Sequence, residues 1–209
     1  MVSLPPPSEL IKRAQALAAL DLILSPEWED RYYSFNSEWA ERQVMASMRN
    51  GSGDEWCIFF DEFGWAALRG LAHESPAWAE GGEELSQALQ SACPPELSEF
   101  VQEPAFRWDA TAFCYFWQPE TGAWIRANDL TPFAKLDAGE AELFVHLTGT
   151  AEDYQTYARE YFEREIPIEM VRHIFEHKPI DVSVVAALNP DTDFDEIEIE
   201  LCHEIGYFP

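Results

Sequence analysis

The chain has 209 residues, 47% of them hydrophobic and 14% aromatic, which is enough for a sizeable core and too apolar for a disordered chain. Thirty-nine acidic residues against thirteen basic ones leave a formal charge of -26, and ten of those bases are Arg scattered singly along the chain. With no Lys/Arg patch to displace counterions, this charge argues against direct nucleic-acid binding and against attachment to an anionic membrane. It favours a cationic protein partner at low salt. Solubility, or adaptation to a saline cytoplasm, accounts for the same acidity without any partner.

The opening "MVSLPPPSELIKRAQ" has no basic-then-apolar signal pattern, and no apolar run approaches the roughly 18 residues of a membrane span, so a cytoplasmic protein is expected. Residues 1–7 read as a Pro-rich lead-in. Ser8 is placed to cap a helix running to about Leu24, where Pro26 follows, and Leu10, Ile11, Ala14, Leu17, Ala18 and Leu22 form its packing stripe. "RYYSFN", "QVMASMRN", "EWCIFFD" and "GWAALRGL" then read as short strands, with "NGSGD" and "EFG" as the turns of antiparallel hairpins. Gly51 and Gly53 begin a G-x-G-x-x-G pattern that Trp56 leaves incomplete, and a strand follows where a phosphate loop would open a helix.

"EELSQALQSA" and "ELSEFVQ" predict helices, and "DATAFCYFWQPETGAWIRA" predicts another hairpin turning at "PETG". From Ala138 onward the pattern is helical. "AEDYQTYAREYFERE" is amphipathic, "IPIEMVRHIFEHKP" and "DVSVVAALNP" follow, and Asp193 is placed to cap a last helix that Gly206 ends. The expected fold class is α+β. An antiparallel sheet of hairpins fills the first two-thirds, packed with an N-terminal helix and a C-terminal set of helices. Residues 1–209 are read as one domain, with 138–209 as a candidate helical subdomain.

Four motifs raise questions of function. "HIFEH" (residues 173–177) fits H-x-x-E-H, in which His173 and His177 would hold a metal and Glu176 would serve as base. Lys178–Pro179 follows at once, which marks the last turn of an ordinary helix, and a third ligand would have to come from Glu200 or Glu204. Asn189, Asp191 and Asp193 have calcium-loop spacing, but Phe194 occupies the position that needs Gly. In "GLAHESPAW", His73, Glu74 and Trp78 are read as a contact loop rather than a triad, with Ser75–Pro76 starting a turn. Residues 179–209 contain eight acids and no Lys or Arg, which makes Asp191, Asp193, Asp195, Glu196, Glu198, Glu200 and Glu204 an acidic binding face.

Trp28, Trp39 and Trp78 lie near loops and could anchor an interface, whereas Trp56, Trp65, Trp117 and Trp124 belong to strands. Arg49, Arg69 and Arg126 are expected to pair with neighbouring carboxylates. Cys57, Cys93, Cys114 and Cys202 form no C-x-x-C pair and read as small core residues. No cofactor is implied. The reading is a non-enzymatic acidic protein-binding domain of the bacterial cytoplasm, such as an immunity or inhibitor protein that neutralises a basic toxin. The alternative is a metal-dependent hydrolase using residues 173–177.

Overall fold

A computed structural model describes residues 3–208; Met1, Val2 and Pro209, which belong to the predicted lead-in and acidic tail, lie outside the described residues. Six strands form one antiparallel meander in sequence order: β1 (Tyr33–Ala40), β2 (Gln43–Arg49), β3 (Glu55–Asp61), β4 (Ala66–Leu71), β5 (Phe113–Gln118) and β6 (Ala123–Arg126). The turns follow from their residues. Gly51, Gly53, Gly64 and Gly122 all have positive φ where the chain reverses. The β1–β2 turn was not signalled, because a non-glycine residue, Arg42, takes the left-handed conformation there.

Register sorts the side chains onto two faces. Tyr33, Met48, Trp56, Gly70 and Phe113 lie side by side across five strands, and so do Ser34, Ser47, Cys57, Arg69 and Cys114 on the other face. Gly70 is required because a Cβ there would come within 2.2 Å of the Phe113 ring.

The first face is covered by α1 (Pro7–Leu24) and by α4 (Glu140–Leu143), α5 (Val145–Thr148) and α6 (Ala151–Tyr161). The Trp56 indole donates to the Leu143 carbonyl at 3.1 Å, and Phe113 meets Phe144 edge to face at 5.4 Å. α1 packs by one face only in its first half; every residue from Ala16 to Leu24 is buried, as befits a stretch that is apolar all round except at Asp21. Ser8 does not cap it. Pro6 holds the N-cap position and Pro7 the first turn, where a missing N–H costs nothing. The lead-in is packed too, with Leu4 buried and the Pro5 carbonyl accepting from Trp124 Nε1 at 2.7 Å.

α7 (Ile168–Phe175), α8 (Val182–Leu188) and α9 (Phe194–Ile199) complete the cover. Asn189 Nδ2 donates to the carbonyls of Ile23 and Leu24 and Thr192 Oγ1 donates to that of Ile23, so the end of α1 is satisfied by residues far along the chain. Buried side chains from residues 138–207 belong to the same core as α1 and the sheet.

The second face lies under the β4–β5 connection, which carries α2 (Pro76–Ala92) and α3 (Ser98–Gln102). α2 begins well before the predicted segment, since Ser75 is its N-cap and Gly82, at φ 45°, kinks it. No described helix is long and apolar enough to cross a membrane.

Candidate functional site

The acidic tail folds into two parts with different tasks. Asp193 caps α9, accepting from the Asp195 amide at 3.0 Å, and a π-helical turn over residues 200–204 continues it to Gly206, whose φ is 64°. Phe194, Ile197, Leu201 and Ile205 turn inward. Glu200 is not available to a partner, because it forms an ion pair with the buried Arg31, which also donates to the carbonyls of Ser25 and Pro26. Asp191, Asp195, Glu196 and Glu198 are exposed and make no ion pair among the described residues. In their midst Ile199 stands 73% exposed.

The turn then lays the tail against β1, where Ser37 Oγ donates to the His203 carbonyl at 2.5 Å. This brings Glu204 to the rim of a groove of about 310 Å³ on the second face of the sheet. Ser34, Ser47 and Cys57 form its floor, and Trp28, Trp39 and Phe106 form its walls. Trp39 and Phe106 stack at 5.5 Å, and Trp28, 51% exposed, carries the Arg49 guanidinium over its ring at 4.1 Å.

Arg49 therefore departs from the expected carboxylate pairing, whereas Arg69 and Arg126 follow it. Arg126 meets Glu140 at 2.7 Å and Asp129 at 2.9 Å. Arg69, buried at the back of the groove, meets Glu55 at 2.6 Å and spends its other donors on Thr111 Oγ1 and the carbonyls of Arg107 and Ala110. Burial pushes the Cys57 thiol up to about 12, so it stays protonated at neutral pH. Burial and neighbouring Glu200 raise the Glu204 carboxyl above its ordinary value.

The sequence flags Trp28 and Trp39 but not the groove. Its walls come from residues 28, 39, 106 and 204, and no local pattern announces such a convergence.

The other predicted site residues lie apart from the groove. α7 ends at Phe175, and His177 takes a left-handed conformation (φ 53°), while the Lys178 amide closes the helix on the His173 carbonyl at 3.1 Å. His173 and His177 are thus not on one helical face as the four-residue spacing implied. His173 Nε2–H donates to the Pro179 carbonyl and His177 Nε2–H to that of Lys12, each at 2.7 Å. The His177 ring stacks on Tyr207 at 4.6 Å, and burial lowers its pKa. Glu176 pairs with Lys178, which holds its carboxyl below the usual range. Among the described residues no three His, Cys, Asp or Glu side chains are grouped to hold a metal.

His73 binds Asp54 twice, through its amide at 2.9 Å and its ring Nδ1 at 2.7 Å, and this hydrogen bond raises its pKa. Glu74 stands 3.9 Å from the same ring, and Trp78 is half-buried in the first turn of α2. No hydrogen bond or ion pair joins these three to the acidic tail among the described residues. Set against known proteins, the chain matches no family model, no curated protein and no solved structure.

Proposed function

We propose that this chain is a non-enzymatic binding domain for a cationic protein, engaged through the outer face of α9, in the manner of an immunity protein that neutralises a basic toxin. The observation that supports this reading most is the make-up of that face. Asp195, Glu196 and Glu198 have no internal cation, and they surround an exposed Ile199. A rim of unpaired charge steers an oppositely charged partner, and a central apolar side chain supplies contact area once water is expelled. Glu200 and Arg31 brace the element from behind, so the face is presented on a fixed support.

The test is capture of partners from a lysate of the source cell at about 50 mM and about 500 mM salt, followed by reconstitution of the purified pair. A basic protein held at low salt and shed at high salt is expected. The combined variant Asp195→Asn, Glu196→Gln, Glu198→Gln is expected to weaken that pair at least about tenfold, mainly through a slower association. A captured protein that binds this variant as tightly as the parent chain would overturn the reading, and so would the absence of any basic partner at low salt.

A further inference from the structure

Two of the four cysteines meet across the second face of the sheet. Cys93 is the C-cap residue of α2 and Cys114 lies in β5, 21 positions later, with their Sγ atoms 3.7 Å apart. Cys114 is fully buried, while Cys93 is partly exposed. A disulfide requires about 2.05 Å between the sulfurs, so side-chain rotation and a small shift at the end of α2 would close the gap. Cys93 lies just past the last helical residue with extended backbone, so its side chain is not held in the helical ladder and can turn towards Cys114. No other thiol competes. Cys57 shares a face with Cys114 but sits on β3, two strands away, roughly 9–10 Å at ordinary strand spacing. Cys202 belongs to the tail turn packed on β1.

We propose that Cys93 and Cys114 are a redox-active dithiol that a hydroperoxide closes to a disulfide, clamping the segment that roofs the second face and walls the groove. Cys93, the accessible sulfur, attacks one peroxide oxygen. The O–O bond breaks, one water leaves, and Cys93 becomes a sulfenic acid. Cys114 then attacks the Cys93 sulfur, the S–O bond breaks, and the departing hydroxide takes the Cys114 proton as a second water. Two thiols and one hydrogen peroxide give one disulfide and two waters, and the sulfur pair loses the two electrons that the peroxide gains.

Burial and the neighbouring Cys93 thiol push the Cys114 pKa well above its ordinary value, consistent with Cys114 acting second and keeping its proton until then. The closed loop carries α3 and Phe106. That segment is already held by the buried side chains of Leu97, Phe100, Phe106 and Trp108, by Arg69, and by hydrogen bonds from Ser86 Oγ to the Thr111 carbonyl, from Gln90 Nε2 to the Trp108 carbonyl and from Trp108 Nε1 to the Phe100 carbonyl, and the disulfide would add a covalent tie. This chemistry is independent of the α9 reading and stands or falls separately from it.

The test is treatment of the purified chain with one equivalent of hydrogen peroxide, beside the double variant Cys57→Ala, Cys202→Ala and the single variant Cys93→Ser. Titration of thiols in denaturant, peptide mapping and thermal unfolding are the readouts. The expected result is loss of two thiols of the four, a peptide joining 93 to 114, and a Tm raised by about 5–10 °C that dithiothreitol reverses. The double variant should give the same link and the same rise, which also shows that it folds, and Cys93→Ser should give neither. Retention of all four thiols, a sulfinic acid on Cys93 in place of the link, or a link that involves Cys57 or Cys202 would each overturn the proposal.

Discussion

Two buried clusters, one on each face of the sheet, handle an ionisable group in different ways. Under α1 the group is Asp21, fully buried, accepting from the amides of Tyr32 (2.8 Å) and Tyr33 (2.9 Å) and from Tyr154 O–H (2.7 Å). The Tyr33 hydroxyl in turn shares a hydrogen bond of 2.6 Å with His146 Nδ1. Burial raises the Asp21 carboxyl to about 6 and lowers the His146 imidazole to about 4, so this face resists charge on both members of the cluster. On the other face Arg69 keeps its charge and is matched by Glu55 and three further acceptors. Around Asp21 the helical cover raises the cost of charge, and two amides and a tyrosine hydroxyl offset it with hydrogen bonds. Beside an open groove, a permanent cation is tolerated because a carboxylate and two carbonyls meet it.

The largest expected effect tests the paired face. Arg69→Ala leaves Glu55 only its longer contact with Arg107 (3.4 Å) and removes the anchor of residues 107–111, and it should cost about 3–5 kcal/mol in urea unfolding, whereas Arg69→Met, which restores volume, should recover part of that.

Next comes the neutral face, tested by pH. Asp21 in the folded chain holds its proton up to about 6 but in the unfolded chain only to its ordinary value near 3.8. Its contribution is therefore fully present below that value and is lost as pH rises through 6. His146 has the opposite sign. Its contribution is present above the ordinary 6.5 and is lost as pH falls towards 4. Each amounts to about 3 kcal/mol, so the two slopes oppose one another between pH 4 and 6. Relative to the parent chain, Asp21→Asn should lose stability more steeply on acidification from pH 6 to 4.5. His146→Gln, which keeps a hydrogen-bonding group for Tyr33, should lose less. Parallel pH profiles for all three chains would show that the cluster does not titrate.

A smaller effect is expected at the groove mouth. Arg49→Gln removes the cation over Trp28 and should cost about 0.5–1 kcal/mol, with a change in Trp fluorescence as the indole is uncovered. Smallest of all, neutralising Asp195, Glu196 and Glu198 should leave folding within about 0.5 kcal/mol of the parent, since nothing inside the molecule pairs with them.

Most of the sheet was legible because three of its four hairpins turn at glycines, and α9 because Asp193 and Gly206 bracket an apolar period of helical spacing. The α+β class follows from those same signals. Asp21 was not legible. One acid on an apolar helix reads as the solvent position, and only the arrival of Tyr154, more than a hundred residues later, makes it an internal acceptor. The close of α7 was readable from Lys178–Pro179, but the left-handed turn at His177 was not, since a glycine usually marks that conformation and none is present. The groove and the Cys93–Cys114 pair share one cause of silence: distant segments meet there, and spacing along the chain carries no trace of it.

The most deeply covered helix is made well before the residues that seal it. Residues 7–24 leave the ribosome long before Asn189 and Thr192 can reach the carbonyls of Ile23 and Leu24, or before Gln15 can bind the carbonyls of Ile205 and Gly206. At ordinary elongation speeds this interval is on the order of 10–30 s. Throughout it, the stretch Ala16–Leu24, apolar but for Asp21, lacks the later residues that seal it, while only the first half of the helix, with Glu9, Lys12 and Arg13, has a polar side, so this stretch is where contact between unfinished chains would start.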